Sequence, residues 1–142
     1  MYKGGDARIV SLAGQKPYEV YTSPLCLAIA FYFAEKKSGT AMAKKKISML
    51  AQNIYIAPDL QSGVLQTLSN PEINDFEDGL EYHAALDAGC RFIITEEISG
   101  FWFSEIEALD CEGFIAKVIS GCDKVVDKAK IPLQDKTADY GF

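Results

Sequence analysis

Four carboxylates fall within one short run, Asn74-Asp75-Phe76-Glu77-Asp78-Gly79-Leu80-Glu81, and a second acidic pair, Glu96-Glu97, closes the apolar run Arg91-Phe92-Ile93-Ile94-Thr95. Oxygen-rich clusters of this kind hold hard divalent cations such as Mg²⁺ or Mn²⁺, and such ions activate water for phosphodiester cleavage. Asp75 and Asp78 are three apart and share a helical face, whereas Glu77 and Glu81 are assigned to the opposite one. Asp75, Asp78 and, from the end of the strand, Glu97 are therefore the candidate catalytic and metal-ligating residues. The chemistry requires helix and strand to lie side by side, so that the carboxylates converge at one rim of a sheet. Acidic residues at a helix start also serve its cap and dipole without any metal, and Glu97 also reads as an exposed turn residue.

The other reactive residue types point elsewhere. His83 is the only histidine, and no second base or nucleophile pairs with it in the sequence, so it reads as a packed side chain. Ser23 has no nucleophile-elbow motif around it and reads as a helix cap with Pro24 behind it. The four cysteines, at 26, 90, 111 and 122, show no CxxC spacing, so neither zinc nor disulfides are expected. Phe101-Trp102-Phe103 would stack on bases or cover a sheet edge, with packing favoured. Lys36-Lys37 and Lys44-Lys45-Lys46 form a basic patch, read first as the solvated ends of two helices and second as an RNA backbone contact.

A net charge of -6 argues against binding nucleic acid through bulk attraction, and no DNA sequence reader is expected. It is compatible with a metal site, which is itself acidic until cations bind. The longest uncharged apolar run, Pro24 to Ala34, is too short to cross a bilayer, and the first residues lack the layout of a signal peptide, so a cytoplasmic protein is expected. The 142 residues fit one domain, residues 1–130, followed by a tail over 131–142.

The elements that would position these groups alternate. A short helix from Asp6 to Ala13 precedes a strand at Tyr18 to Thr22. A helix from Leu25 to Lys36, apolar nearly all round, is expected to be deeply buried. A second helix spans Ala41 to Ala51, a short strand Asn53 to Ala57, and a weaker helix Leu60 to Leu68. The acidic helix runs from about Asp75 to Ala88. The strand from Arg91 to Thr95 has too little alternation to be half exposed, so both of its faces should be covered. A strand near Ile106 to Leu109 follows, and helical spacing from Ile115 through Ala129 predicts a C-terminal helix to about Lys130. Strands alternating with helices imply an α/β fold with a mainly parallel sheet covered by helices, its chemistry at the carboxyl ends of the strands.

The run Ile73 to Tyr82 with Ala84-Ala85, then Phe92-Ile93-Ile94-Thr95-Glu96-Glu97, Phe101 with Phe103-Ser104, and Glu112-Gly113-Phe114 together resemble the PIN-domain family, in its bacterial toxin-type branch. Tyr21-Thr22-Ser23-Pro24-Leu25-Cys26-Leu27-Ala28 is similar to that branch's second strand and following helix. The resemblance covers about Ala7 to Phe114. It implies a three-layer α/β/α sandwich and, for active members, Mg²⁺- or Mn²⁺-dependent endoribonuclease chemistry, with RNA as substrate, an antitoxin protein as partner and homodimers common. By position it implies Asp78 as the carboxylate of the acidic helix, Asp75 as its auxiliary neighbour, and Glu97 where the family has Asp or Asn. PIN domains open with a central strand ending in an Asp-Thr-Asn-like motif, which this sequence does not show before Met1-Tyr2-Lys3-Gly4-Gly5. Ile29 stands where the family commonly carries Glu or Asn, and Gly100 where an Asp often precedes the Phe. The site is therefore expected to be incomplete, which leaves a catalytically inactive PIN-like interaction module as the alternative. The gap left by the central strand is to be filled by missing residues, by the segment beyond Phe114, or by a second copy.

Overall fold

A computed structural model describes residues 5–120 and 130–132 of the chain. Helix α1 (Gly5–Val10) leads through a turn into strand β1 (Glu19–Thr22), followed by α2 (Pro24–Ser38), α3 (Thr40–Asn53) and strand β2 (Tyr55–Ile56). Helices α4 (Gln61–Ser69) and α5 (Phe76–Asp87) precede strand β3 (Phe92–Ile94), a 3-10 turn (Ile98–Phe101), strand β4 (Glu107–Leu109) and helix α6 (Cys111–Phe114). Helix α6 runs on as a π turn (Ile115–Ile119), and the last described element is strand β5 (Lys130–Pro132). The protein is mixed α/β. No helix among the described residues is long and apolar enough to cross a membrane.

The strands lie in two small parallel sheets, β2-β1-β5 and β3-β4. Strand β5 pairs with β1, Lys130 opposite Glu19 and Ile131 opposite Val20, and it also packs beside β3, so it stands where the two sheets meet. The helix expected to reach Lys130 therefore does not: Lys130 begins a strand. The intervening residues 121–129 of that expected helix, and most of the expected tail, lie outside the described residues. Pairing with β1 satisfies backbone groups that an open edge would leave bare, which outweighs the poor fit of Pro132 to a ladder.

Strand β3 is buried along its whole length, as its unalternating apolar pattern predicts. Phe92 and Ile94 enter a core with Ile9, Val20, Leu50 and Phe114, while Ile93 enters another with Tyr82, Ala85 and Phe101. Side chains alternate across a strand, so one three-residue segment ties both cores together. The expectation for α2 fails in part. It buries the small residues Cys26, Ala30 and Ala34, one turn apart, and leaves Tyr32 and Phe33 half exposed. A helix that is apolar all round has no preferred face, and here the smallest row turns inward because it allows the closest approach.

Candidate active site

Helix α5 begins where the sequence says it should. Asp75 has extended backbone, and its Oδ1 accepts hydrogen bonds from the N–H groups of Glu77 (2.9 Å) and Asp78 (3.2 Å). Its first role is thus that of an N-cap, accepting from two of the N–H donors that a helix start leaves unmatched. The cap fixes the helical phase, and that phase turns Asp78 inward to 3% exposure.

Glu81 follows Asp78 on the same buried face, at 5% exposure, against the expectation that it lies on the opposite side. The two are three residues apart, the same spacing that joins Asp75 to Asp78, so the row of acids continues for another turn. This three-residue spacing is the sequence signal for Glu81, and Glu77, four residues before it, is only partly buried.

Glu81 reaches α2. The Cys26 thiol donates to Glu81 Oε1 at 2.9 Å, and Cys26 N–H bonds to the capping Oγ of Ser23 at 3.1 Å. Burial, and after it the negative charge of Glu81, push the Cys26 thiol well above its ordinary pKa, so it stays protonated and able to donate. The first turn of α2 also draws on Asp59, which accepts from the Leu25 N–H. Burial raises the Asp59 pKa, and that hydrogen bond partly opposes the rise.

The third wall is the 3-10 turn after β3. Gly100 lies against Asp78: a Cβ on Gly100 would stand 2.7 Å from Asp78 Oδ2, so any other residue there would displace that oxygen. Gly100 N–H bonds to the Glu97 carbonyl at 3.0 Å, and Glu97 N–H to Thr95 Oγ1 at 3.1 Å, which ties the turn to the buried end of β3. The Glu97 side chain is exposed. Asp78 and the turn carrying Glu97 are therefore neighbours, while the two carboxylates differ sharply in burial. Among the described residues, no three His, Cys, Asp or Glu side chains are grouped closely enough to hold a metal ion.

The aromatic run divides. Phe101 enters the core and Phe103 packs edge-on to Tyr82 with ring centroids 5.2 Å apart, whereas Trp102 is 60% exposed.

His83, on the buried face of α5, packs on α4, where a Cβ on Gly63 would meet the His83 Cβ at 3.0 Å. Its Nε2 has no hydrogen-bond partner among the described residues. Burial lowers its pKa below the ordinary 6.5, partly opposed by the charge of Asp87. The folded state thus prefers the neutral ring, and the stability this gives is fully present above pH 6.5. It is lost as pH falls through the depressed folded value, because the unfolded chain takes up the proton first. His83→Gln should flatten the decline in Tm between about pH 7 and pH 5, and an unchanged decline in the variant would assign it to other groups.

No family model, no curated protein and no solved structure matches the chain.

Proposed function

We propose that this chain is a PIN-like α/β/α protein that works as a divalent-metal-dependent endoribonuclease. The observation that carries the reading is the burial of Asp78 against Gly100, which joins the acidic helix to the turn after β3. The coverage of β3 on both faces supports the layered architecture. The residues fit a hard cation in their chemistry. Asp78 and Glu81 offer oxygen donors one turn apart, and the bare Cα of Gly100 lets Asp78 Oδ2 lie close against the turn after β3. Mg²⁺ is held in many sites by one or two carboxylates, with water and substrate phosphate completing its shell.

In this reading Asp78 and Glu81 would hold the ion, and Glu97 stands at the exposed rim of the same turn. Asp75 fixes the helix start that aims Asp78 inward, and Cys26 orients the Glu81 carboxylate. When bound, the ion supplies a water of lowered pKa for attack on the RNA phosphodiester. The test is cleavage of a labelled RNA in Mn²⁺, together with the melting temperature with and without Mn²⁺. We expect cleavage and a rise in Tm, with both lost in Asp78→Asn. Each tenfold loss in rate corresponds to about 1.4 kcal/mol of barrier, and removal of a ligand should cost at least two such steps.

The small number of grouped ligands among the described residues favours a second reading, an inactive PIN-like interaction module. That reading requires a folded protein whose Tm ignores Mn²⁺ and which leaves RNA intact.

A further inference from the structure

The α2–α3 hairpin is a strongly basic region of this acidic protein. Residues 36–58 hold five lysines and no Asp or Glu, whereas the whole chain carries -6. Helix electrostatics explains only part of this. Lys36 and Lys37 lie in the last turn of α2, where the dipole favours cations. Lys44, Lys45 and Lys46 lie just past the first turn of α3, a turn without any acidic residue, at the end where the dipole favours anions. Lys46 Nζ reaches Ser38 Oγ at 3.4 Å, which ties Lys46 of α3 to the tip of α2, while Lys44 and Lys45 are exposed beside it in sequence. Glu35, next to Lys36 in sequence, accepts a hydrogen bond from Thr40 Oγ1 at 2.6 Å.

Beside the lysines stand two aromatic rings that the core does not use. Tyr32 is 50% and Phe33 45% exposed, and the rings meet edge to face at 5.4 Å. Each lies four residues before a lysine, so α2 presents two adjacent rows, Tyr32 with Lys36 and Phe33 with Lys37. Lys36 Nζ sits 4.3 Å from the centre of the Tyr32 ring. Flat apolar rings next to flexible cations suit a ligand that offers unpaired planar bases and phosphates in alternation. A duplex hides its base faces, and an acidic peptide has none.

We propose that the outer face of the α2–α3 hairpin binds single-stranded nucleic acid, with bases stacking on Tyr32 and Phe33 and phosphates neutralised by Lys36, Lys37, Lys44 and Lys45. The ribonuclease reading is not needed for this, because binding at this surface requires neither a metal nor Asp78.

The experiment is fluorescence anisotropy of a labelled single-stranded oligouridylate of about twelve nucleotides in EDTA, where cleavage cannot contribute, over a range of salt. Neutralising about four phosphates on a single strand predicts a log-log salt slope near -3. The quadruple variant Lys36→Gln, Lys37→Gln, Lys44→Gln, Lys45→Gln should abolish most of that slope and weaken binding at least tenfold. Tyr32→Ala and Phe33→Ala should each weaken binding by about tenfold with the slope unchanged, as lost stacking requires. Unlabelled single strands, RNA or DNA, should displace the probe far better than a duplex or polyglutamate of equal charge. Circular dichroism melts of the variants should match the parent, since all six positions are at least partly exposed on helix surfaces. Absence of binding at low salt overturns the proposal. So does indifference to the ring substitutions, or displacement by polyglutamate or duplex as strong as by single strands. Because the Asp78→Asn protein should bind the oligonucleotide like the parent, failure here and failure of the cleavage reading are separate results.

Discussion

Phe114→Ala is expected to lower the unfolding free energy by about 3–5 kcal/mol, a large share of the stability of a domain of this size. Phe114 has no exposed surface, packs edge to face on Phe92 with centroids 5.7 Å apart, and joins α6 to Ile9 of α1 and Val20 of β1 through one core. Its backbone is held independently: its N–H bonds to the Asp110 carbonyl at 2.9 Å, and Asp110 Oδ1 caps the helix through Gly113 N–H. Truncation therefore leaves the backbone in place around a cavity that has little freedom to collapse. Urea unfolding measures the loss, and a change under about 1 kcal/mol would mean that the core around Phe92 repacks freely.

Gly79→Ala has two opposing terms. Alanine in the interior of α5 gains about 1 kcal/mol of helix propensity over glycine. Against that, a Cβ at position 79 would stand 2.3 Å from Thr67 Cγ2 and 2.7 Å from Ile73 Cγ2. Thr67 is itself buried in α4, so its methyl group cannot swing into solvent and the helices must separate. Overpacking of this kind costs about 1–3 kcal/mol before the propensity gain is deducted, and a contact this short belongs at or beyond the upper end. The net effect is expected to be destabilising. A higher Tm for Gly79→Ala would show that α4 yields easily. Gly79→Val, which adds branching next to the same wall, should be worse still.

Much of this architecture was legible because local physics and burial agree there. Asp75 caps α5, Ser23 caps α2, and the unbroken apolar run of β3 is covered on both faces. What escaped was decided between elements. Nothing local distinguishes the Cys26-Ala30-Ala34 row of α2 from the row holding Tyr32, and packing chose the smaller one. Glu81 has a polar side chain whose place in the interior depends on a thiol from another helix, Cys26, far away in sequence. The contact between Gly100 and Asp78 likewise arises only once the 3-10 turn folds back on α5. Position 130 illustrates the limit of periodicity. Apolar spacing predicts a helix to about Lys130, where the backbone of β1 instead gives Lys130 and Ile131 strand partners.

That last pairing has a consequence for synthesis. Glu19 waits for Lys130, so one side of β1 has no companion while roughly 110 further residues are translated. Contacts of such long range slow the final folding step, and a bare edge held open in the meantime invites neighbouring nascent chains to pair with it. Soluble yield should thus depend on expression rate and chaperone supply more steeply than the helical content of the protein would suggest.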